Sequence, residues 1–229
     1  MSEIAHPDSF QQALGPLRTA SLSAGALRYR DHGSGVPVVF LAGLVLASGF
    51  WRRVVPALTQ PVRAIVPDLP LGAHTIAMRR DADLSPIAIA DLIPELLDTL
   101  DLGEAVIVGS RLPIAFGRLT KQPLDKHVYD SYLTPGRSNA GVRRDTAKVL
   151  RAIRRRYTIQ ADAALARFER PTLIAWASED RVFPYRHAEA LAEILPNAEL
   201  IPVADSYTYI PEDQPLVLAG HLDRFIAQI

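Results

Sequence analysis

Apolar residues fall into short runs that alternate with amphipathic stretches along the chain. Leu22 to Tyr29 alternates weakly and reads as two strands turning at Gly25. His32-Gly33-Ser34-Gly35 is a turn. Val36 to Leu41 is a nearly continuous β-branched run, the pattern of a strand buried on both faces. Phe50 to Leu58 predicts a short helix with Ser48 as its N-cap. Val62 to Val66 predicts a second buried strand, ended by Pro67-Asp68-Leu69-Pro70. Ser85-Pro86 marks a helix start, and Ile89, Ile93, Leu96, Leu97 and Leu100 recur on one face after it. Pro94 inside that helix is expected to kink it. Ala105 to Val108 predicts a third buried strand.

From Arg111 to Arg170 the strand signal disappears. His127 to Leu133 and Val142 to Ile153 predict helices, separated by Pro135-Gly136-Arg137-Ser138-Asn139. Strand patterns resume at Thr172 to Trp176 and at Ala198 to Val203, with a helix from Tyr185 to Leu195 between them. A last helix starts near Pro215 and carries Leu218, Leu222, Phe225, Ile226 and Ile229 at helical spacing. This is an α/β chain, with a mostly parallel sheet covered by helices on both faces. Residues 1–110 and 171–229 form the expected core, and 111–170 a helical insert.

Composition narrows the chemistry. Basic and acidic residues both number 25, so no net field draws the chain to nucleic acid or an anionic membrane. Arg137 to Arg156 is locally basic, but the spacing of Val142, Val149 and Ile153 reads it as a helix with a solvated face. The absence of cysteine excludes disulfides, thiol catalysis and Cys-ligated zinc. No metal cluster, phosphate loop or cofactor motif is visible, so no cofactor is expected. Met1 to Asp8 lacks the basic and apolar regions of a signal peptide, and no apolar run is long enough to span a bilayer. A cytoplasmic protein acting on a small molecule is the expectation.

Several segments, in order, resemble the α/β-hydrolase family, in its cap-containing epoxide hydrolase and haloalkane dehalogenase branch. Val38-Val39-Phe40-Leu41-Ala42-Gly43, followed by Phe50-Trp51 and Leu58, resembles the strand, oxyanion loop and first helix. Val66-Pro67-Asp68-Leu69-Pro70-Leu71-Gly72 resembles the next strand and its turn. Val106-Ile107-Val108-Gly109 resembles the strand that feeds the nucleophile elbow. Pro171 to Pro184 resembles the segment carrying the catalytic acid, and Leu195 to Pro215 the one carrying the histidine. The resemblance implies an ancestral hydrolase of ester, epoxide or carbon–halogen bonds, with 111–170 as its cap.

The resemblance also implies residues that this chain lacks. The elbow pattern, Gly-x-nucleophile-x-Gly, becomes Gly109-Ser110-Arg111-Leu112-Pro113, and arginine cannot attack a carbonyl. The elbow helix and following strand are missing, as though a segment were absent between Ser110 and Arg111. Ser110 is the nearest hydroxyl, either a displaced nucleophile or a turn serine. Asp180 takes the acid position. The histidine position falls at Thr208 or Tyr207, neither a base near neutral pH. Gly43 and Leu44 can offer oxyanion-hole amides. Trp51 and His74 are candidates to line the pocket, His74 lying just past the end of a strand. Impaired turnover follows. The alternatives are a non-catalytic binder of small molecules and a truncated variant, whose unpaired strands re-pair in a homodimer.

Overall fold

The computed structural model describes residues 13–110 and 119–229. The chain divides into two compact units. The first comprises Met1–Pro56, Pro61–Leu112 and Asp125–Ile153, the second Ala57–Gln60, Pro113–Leu124 and Arg154–Ile229.

The first unit is built on a five-stranded sheet. Strands β1 (Leu17–Leu22) and β2 (Gly25–Gly33) form an antiparallel hairpin, and β2 pairs antiparallel with β4 (Val62–Pro67). Parallel pairing then joins β4 to β3 (Val36–Leu41) and β3 to β5 (Val106–Gly109), giving the order β1-β2-β4-β3-β5. The apolar run predicted for β3 places it centrally, and Val38, Val39 and Phe40 are fully buried there. The β2–β3 turn depends on Gly35, whose φ is +126° and whose missing side chain leaves room for the Pro61 carbonyl. Helix α1 (Pro86–Thr99) crosses from β4 to β5, and the Ser85 hydroxyl caps it by accepting the Ala88 amide at 3.3 Å. Its Ile89, Leu92 and Leu96 join Leu27, Ile65 and Val39 in the core. Helices α2 (Lys126–Ser138) and α3 (Ala140–Ala152) complete this unit, burying Val128, Tyr132, Val142 and Val149.

The second unit holds a separate parallel pair, β6 (Thr172–Ala177) and β7 (Ala198–Val203), linked by α5 (Arg186–Ile194). Helix α4 (Arg155–Leu165) precedes them, and α6 (Ile210–Asp213) and α7 (Pro215–Ile226) follow. Ile174, Trp176, Ala188 and Leu195 form the core of this unit. The Asp223 carboxylate anchors α7 to the 57–60 segment by accepting the Thr59 and Gln60 amides and the Thr59 hydroxyl. Burial pushes its carboxyl up, but those hydrogen bonds outweigh burial and hold it below the usual range.

Four local expectations change. The helix expected over Phe50 to Leu58 begins as a 3-10 turn at Ser48–Trp51, with Ala47 rather than Ser48 as its N-cap. The Ser48 amide is instead donated to Asp68, at 2.8 Å, so Ser48 lies inside the turn. Helix α2 runs through Pro135 to Ser138, because the break is made at Asn139. There the side-chain oxygen accepts the Gly141 and Val142 amides and starts α3. Helix α4 gave no apolar stripe, since it buries no residue. Finally, β5 is not a strand buried on both faces: Ile107 is 49% exposed.

Candidate active site

The C-terminal ends of β3 and β5 lie side by side, with Leu41 in register with Gly109. The Ser110 amide continues the ladder, donating to the Leu41 carbonyl at 3.1 Å. This brings Ser110 to the loop after β3, where the Gly43 amide donates to the Ser110 hydroxyl oxygen at 3.0 Å. Leu44 is 2% exposed. Val45 holds a φ of +59°, a left-handed conformation costing a β-branched residue on the order of 1–3 kcal/mol. Its amide is tied to the Leu71 carbonyl at 2.7 Å, and the Leu46 amide returns to Gly43 at 3.1 Å. The loop is therefore held in one shape, with the Gly43 amide spent on Ser110. Among the described residues, the partners of Ser110 are that amide and Leu41. A serine hydroxyl without an adjacent base is a weak nucleophile.

Trp51 is 2% exposed, with its ring against Phe40 and Phe50 at centroid distances of 5.4 and 5.2 Å. Behind the turn, burial pushes the Asp68 carboxyl up, against the pull of the Ser48 hydrogen bonds and of Arg30 and Arg28.

His74 lies in the β4–α1 connection and is 2% exposed. Its Nδ1 accepts the Gly72 amide at 3.4 Å, so Nε2 carries the proton and donates to Asp145 at 3.3 Å. Asp145, on α3, is fully buried and also accepts the Met78 amide at 2.7 Å and the Arg144 guanidinium. Burial holds the His74 imidazole below its usual range, partly offset by Asp145. With both nitrogens engaged, this ring joins α3 to the β4–α1 connection and has no lone pair left for a substrate proton. The sequence signal for its partner was that Asp145 is the one acidic residue between Arg137 and Arg156. Other basic side chains of that stretch also bond internally: Arg143 caps the carbonyls of Gly136 and Arg137, and Lys148 those of Arg80 and Ala82.

In the second unit, Asp180 sits in the turn after β6 and is 8% exposed. Its Oδ1 accepts the Val182 and Phe183 amides, both at 2.8 Å. The same oxygen accepts the Thr208 hydroxyl at 2.9 Å. The loop carrying Thr208 is fixed by Asp213, whose carboxylate accepts the amides of Lys121, Gln122 and Tyr207. Arg181 stacks over the Tyr207 ring, 4.5 Å from its centroid. Thus Ser110 meets Gly43 in the first unit and Asp180 meets Thr208 in the second. Arg111 lies outside the described residues. Asp213 and Val45 were not singled out from sequence, and no spacing rule marks either.

Among the described residues no group of three or more His, Cys, Asp or Glu side chains is arranged to hold a metal. None of the described helices is long and apolar enough to cross a membrane.

No protein-family model matches the chain. It is 23% identical over 278 residues to the cis-3-alkyl-4-alkyloxetan-2-one decarboxylase of Shewanella oneidensis, covering 91% of this chain and 87% of that protein. A further match, to the uncharacterized hydrolase YugF of Bacillus subtilis, is 27% identical over 106 residues, 46% of this chain and 37% of that protein. Among solved structures, the carboxylesterase CesB of Bacillus subtilis superposes with a TM-score of 0.79 at 12% identity, covering 97% of each chain. The haloalkane dehalogenase DbeA of Bradyrhizobium elkani superposes at 0.76 and 19% identity, covering 93% of this chain and 99% of that one. Strand order, the strained loop after β3 and these superpositions agree: the chain has the α/β-hydrolase fold.

Proposed function

We propose that this chain is an α/β-hydrolase whose lineage hydrolyses ester, epoxide or carbon–halogen bonds of small molecules, and whose own turnover is impaired. The observation that carries the reading is the hydrogen bond from the Thr208 hydroxyl to Asp180. A carboxylate at a strand end, aimed at the family's histidine position, is the orienting half of an acid–base pair. A threonine hydroxyl in place of the imidazole cannot take a proton from a nucleophile near neutral pH. The nucleophile is missing as well, because Arg111 follows Ser110 where the elbow residue belongs.

The absence of an elbow segment between Ser110 and Arg111 is part of the proposal. The alignment with the decarboxylase supports a chain shortened somewhere along its length, since its 278 positions exceed the 229 residues of this chain. As 91% of the chain is about 208 residues, about 70 aligned positions hold no residue of it. Residues 111–170 are assigned to the cap, and the ligand is a small organic molecule rather than nucleic acid, bound without a cofactor in the cytoplasm. The test is hydrolysis of nitrophenyl esters and epoxides by the intact chain beside Asp180→Ala. Rates equal in the two proteins, with ligand-dependent thermal stabilisation of the intact chain, are expected. Hydrolysis that Asp180→Ala abolishes overturns the reading, since a working site would then exist.

A further inference from the structure

The peptide unit between Leu71 and Gly72 is engaged at both ends. Its N–H donates to Nδ1 of His74 at 3.4 Å, and its C=O accepts the Val45 amide at 2.7 Å. A peptide unit is planar, so turning one of these groups away turns the other. Val45 relies on that acceptor. Gly43 to Leu46 is a four-residue turn, closed by the Leu46 amide on the Gly43 carbonyl, and Val45 stands at its third position with a φ of +59°. Glycine suits that position, and a β-branched residue is strained there. Gly72 is also closely packed. A Cβ placed on it would lie 3.3 Å from the Thr146 side chain on α3 and 3.4 Å from that of Val45. One placed on Gly136 of α2 would lie 3.5 Å from the Gly72 carbonyl.

We infer that His74 is a positioning residue for the candidate oxyanion loop, and that a proton on its Nδ1 releases the loop through the Leu71–Gly72 peptide. Neutral His74 donates from Nε2 to Asp145 and accepts at Nδ1. A second proton makes Nδ1 a donor facing another donor, the Gly72 N–H. The peptide then turns, its C=O leaves the Val45 amide, and Val45 relaxes toward negative φ, taking Gly43 and Leu44 with it. The charges against the ring come from α3: Asp145 favours the proton, and Arg144, which also bonds Asp145, opposes it. From β2, Arg28 donates to the Thr75 hydroxyl, and Asp68, at the start of the connection, accepts the Ser48 amide. Residues 43–46 and 71–78 contain no other titratable side chain, and α2 presents Gly136. Burial sets the transition below the ordinary imidazole range. Calling this an oxyanion loop rests on the proposed function, whereas the coupling itself does not depend on turnover.

The test is NMR of the full chain without substrate, following the His74 ring nitrogens and the backbone amides from about pH 7.5 to about pH 5. The Gly72, Val45 and Gly43 amide signals should move with the midpoint of the His74 ring. Protection of the Val45 amide against exchange should fall about tenfold across it, more than any loss at Val39 and Ile65 in the sheet. His74→Gln supplies a neutral amide that can accept from Gly72 and donate to Asp145. It should hold the loop at both pH values and abolish the Val45 transition. Should that variant fail to fold, the match of midpoints in the unaltered chain still decides. Val45 signals that stay fixed while His74 titrates overturn the inference. So does a Val45 transition that persists in His74→Gln, or a ring that stays neutral until the sheet amides lose their protection as well.

Discussion

His74 and Asp145 give the residue scale its clearest energetics. The imidazole is neutral, with the Gly72 amide on one nitrogen and Asp145 on the other. Burial holds its folded pKa below the ordinary 6.5. Between the folded value and 6.5 the unfolded chain therefore binds more protons than the folded one, and stability rises with pH across that window. His74 should thus weaken the fold as pH drops from about 7 to about 5. His221, also held low by burial, adds a slope of the same sign. Urea midpoints measured across that range should fall on acidification, and His74→Gln should flatten the fall although His221 remains. An unflattened slope would mean that the proton uptake belongs to other groups. The sequence placed His74 near a strand end but could not show that it is buried, because its partner lies 71 residues away on α3. The spacing to Pro215 that the family resemblance implies narrowed the histidine position to Thr208 or Tyr207, and the hydrogen bond from the Thr208 hydroxyl to Asp180 distinguishes the two.

At the element scale, what the apolar pattern showed depended on how deeply an element is buried. β3, β4 and α1 turn apolar residues inward and were read nearly to the residue. Helix α4 buries nothing, so no stripe existed to be read. β5 carries a buried strand's sequence, yet Ile107 is half exposed and, among the described residues, β3 is its one paired neighbour. Turns are legible where glycine is obligatory. At Gly35 the φ of +126° disfavours any side chain, and a Cβ would collide with the Pro61 carbonyl that accepts the Val36 amide. Both strain and a displaced hydrogen bond follow from adding one methyl group. Gly35→Ala should therefore destabilise the first unit by about 2–4 kcal/mol, read as a lowered denaturation midpoint. A loss below about 0.5 kcal/mol would show that the β2–β3 turn shifts away from Pro61 at little cost.

At the scale of the whole molecule, the strands of the described residues form two sheets, each with its own core. The first unit has five strands and a cluster running from Ala20 to Val149, while the second has two strands around Ile174, Trp176, Ala188 and Leu195. A two-stranded sheet is marginal by itself and depends on the helices packed against it, so less apolar surface opposes unfolding in the second unit. Single domains of this size commonly unfold in one step, but a chain with two cores need not. The two tryptophans report separately, since Trp51 lies in the first unit and Trp176 in the second. Trp51→Phe leaves fluorescence from the second unit and Trp176→Phe from the first. In urea, the first of these variants should show the lower midpoint, and calorimetry of the unaltered chain should show two overlapping transitions. Coincident midpoints would mean that the two cores unfold as one cooperative block. The two-piece strand arrangement would then not divide the fold energetically, and the impaired turnover proposed above would stand apart from any loss of stability.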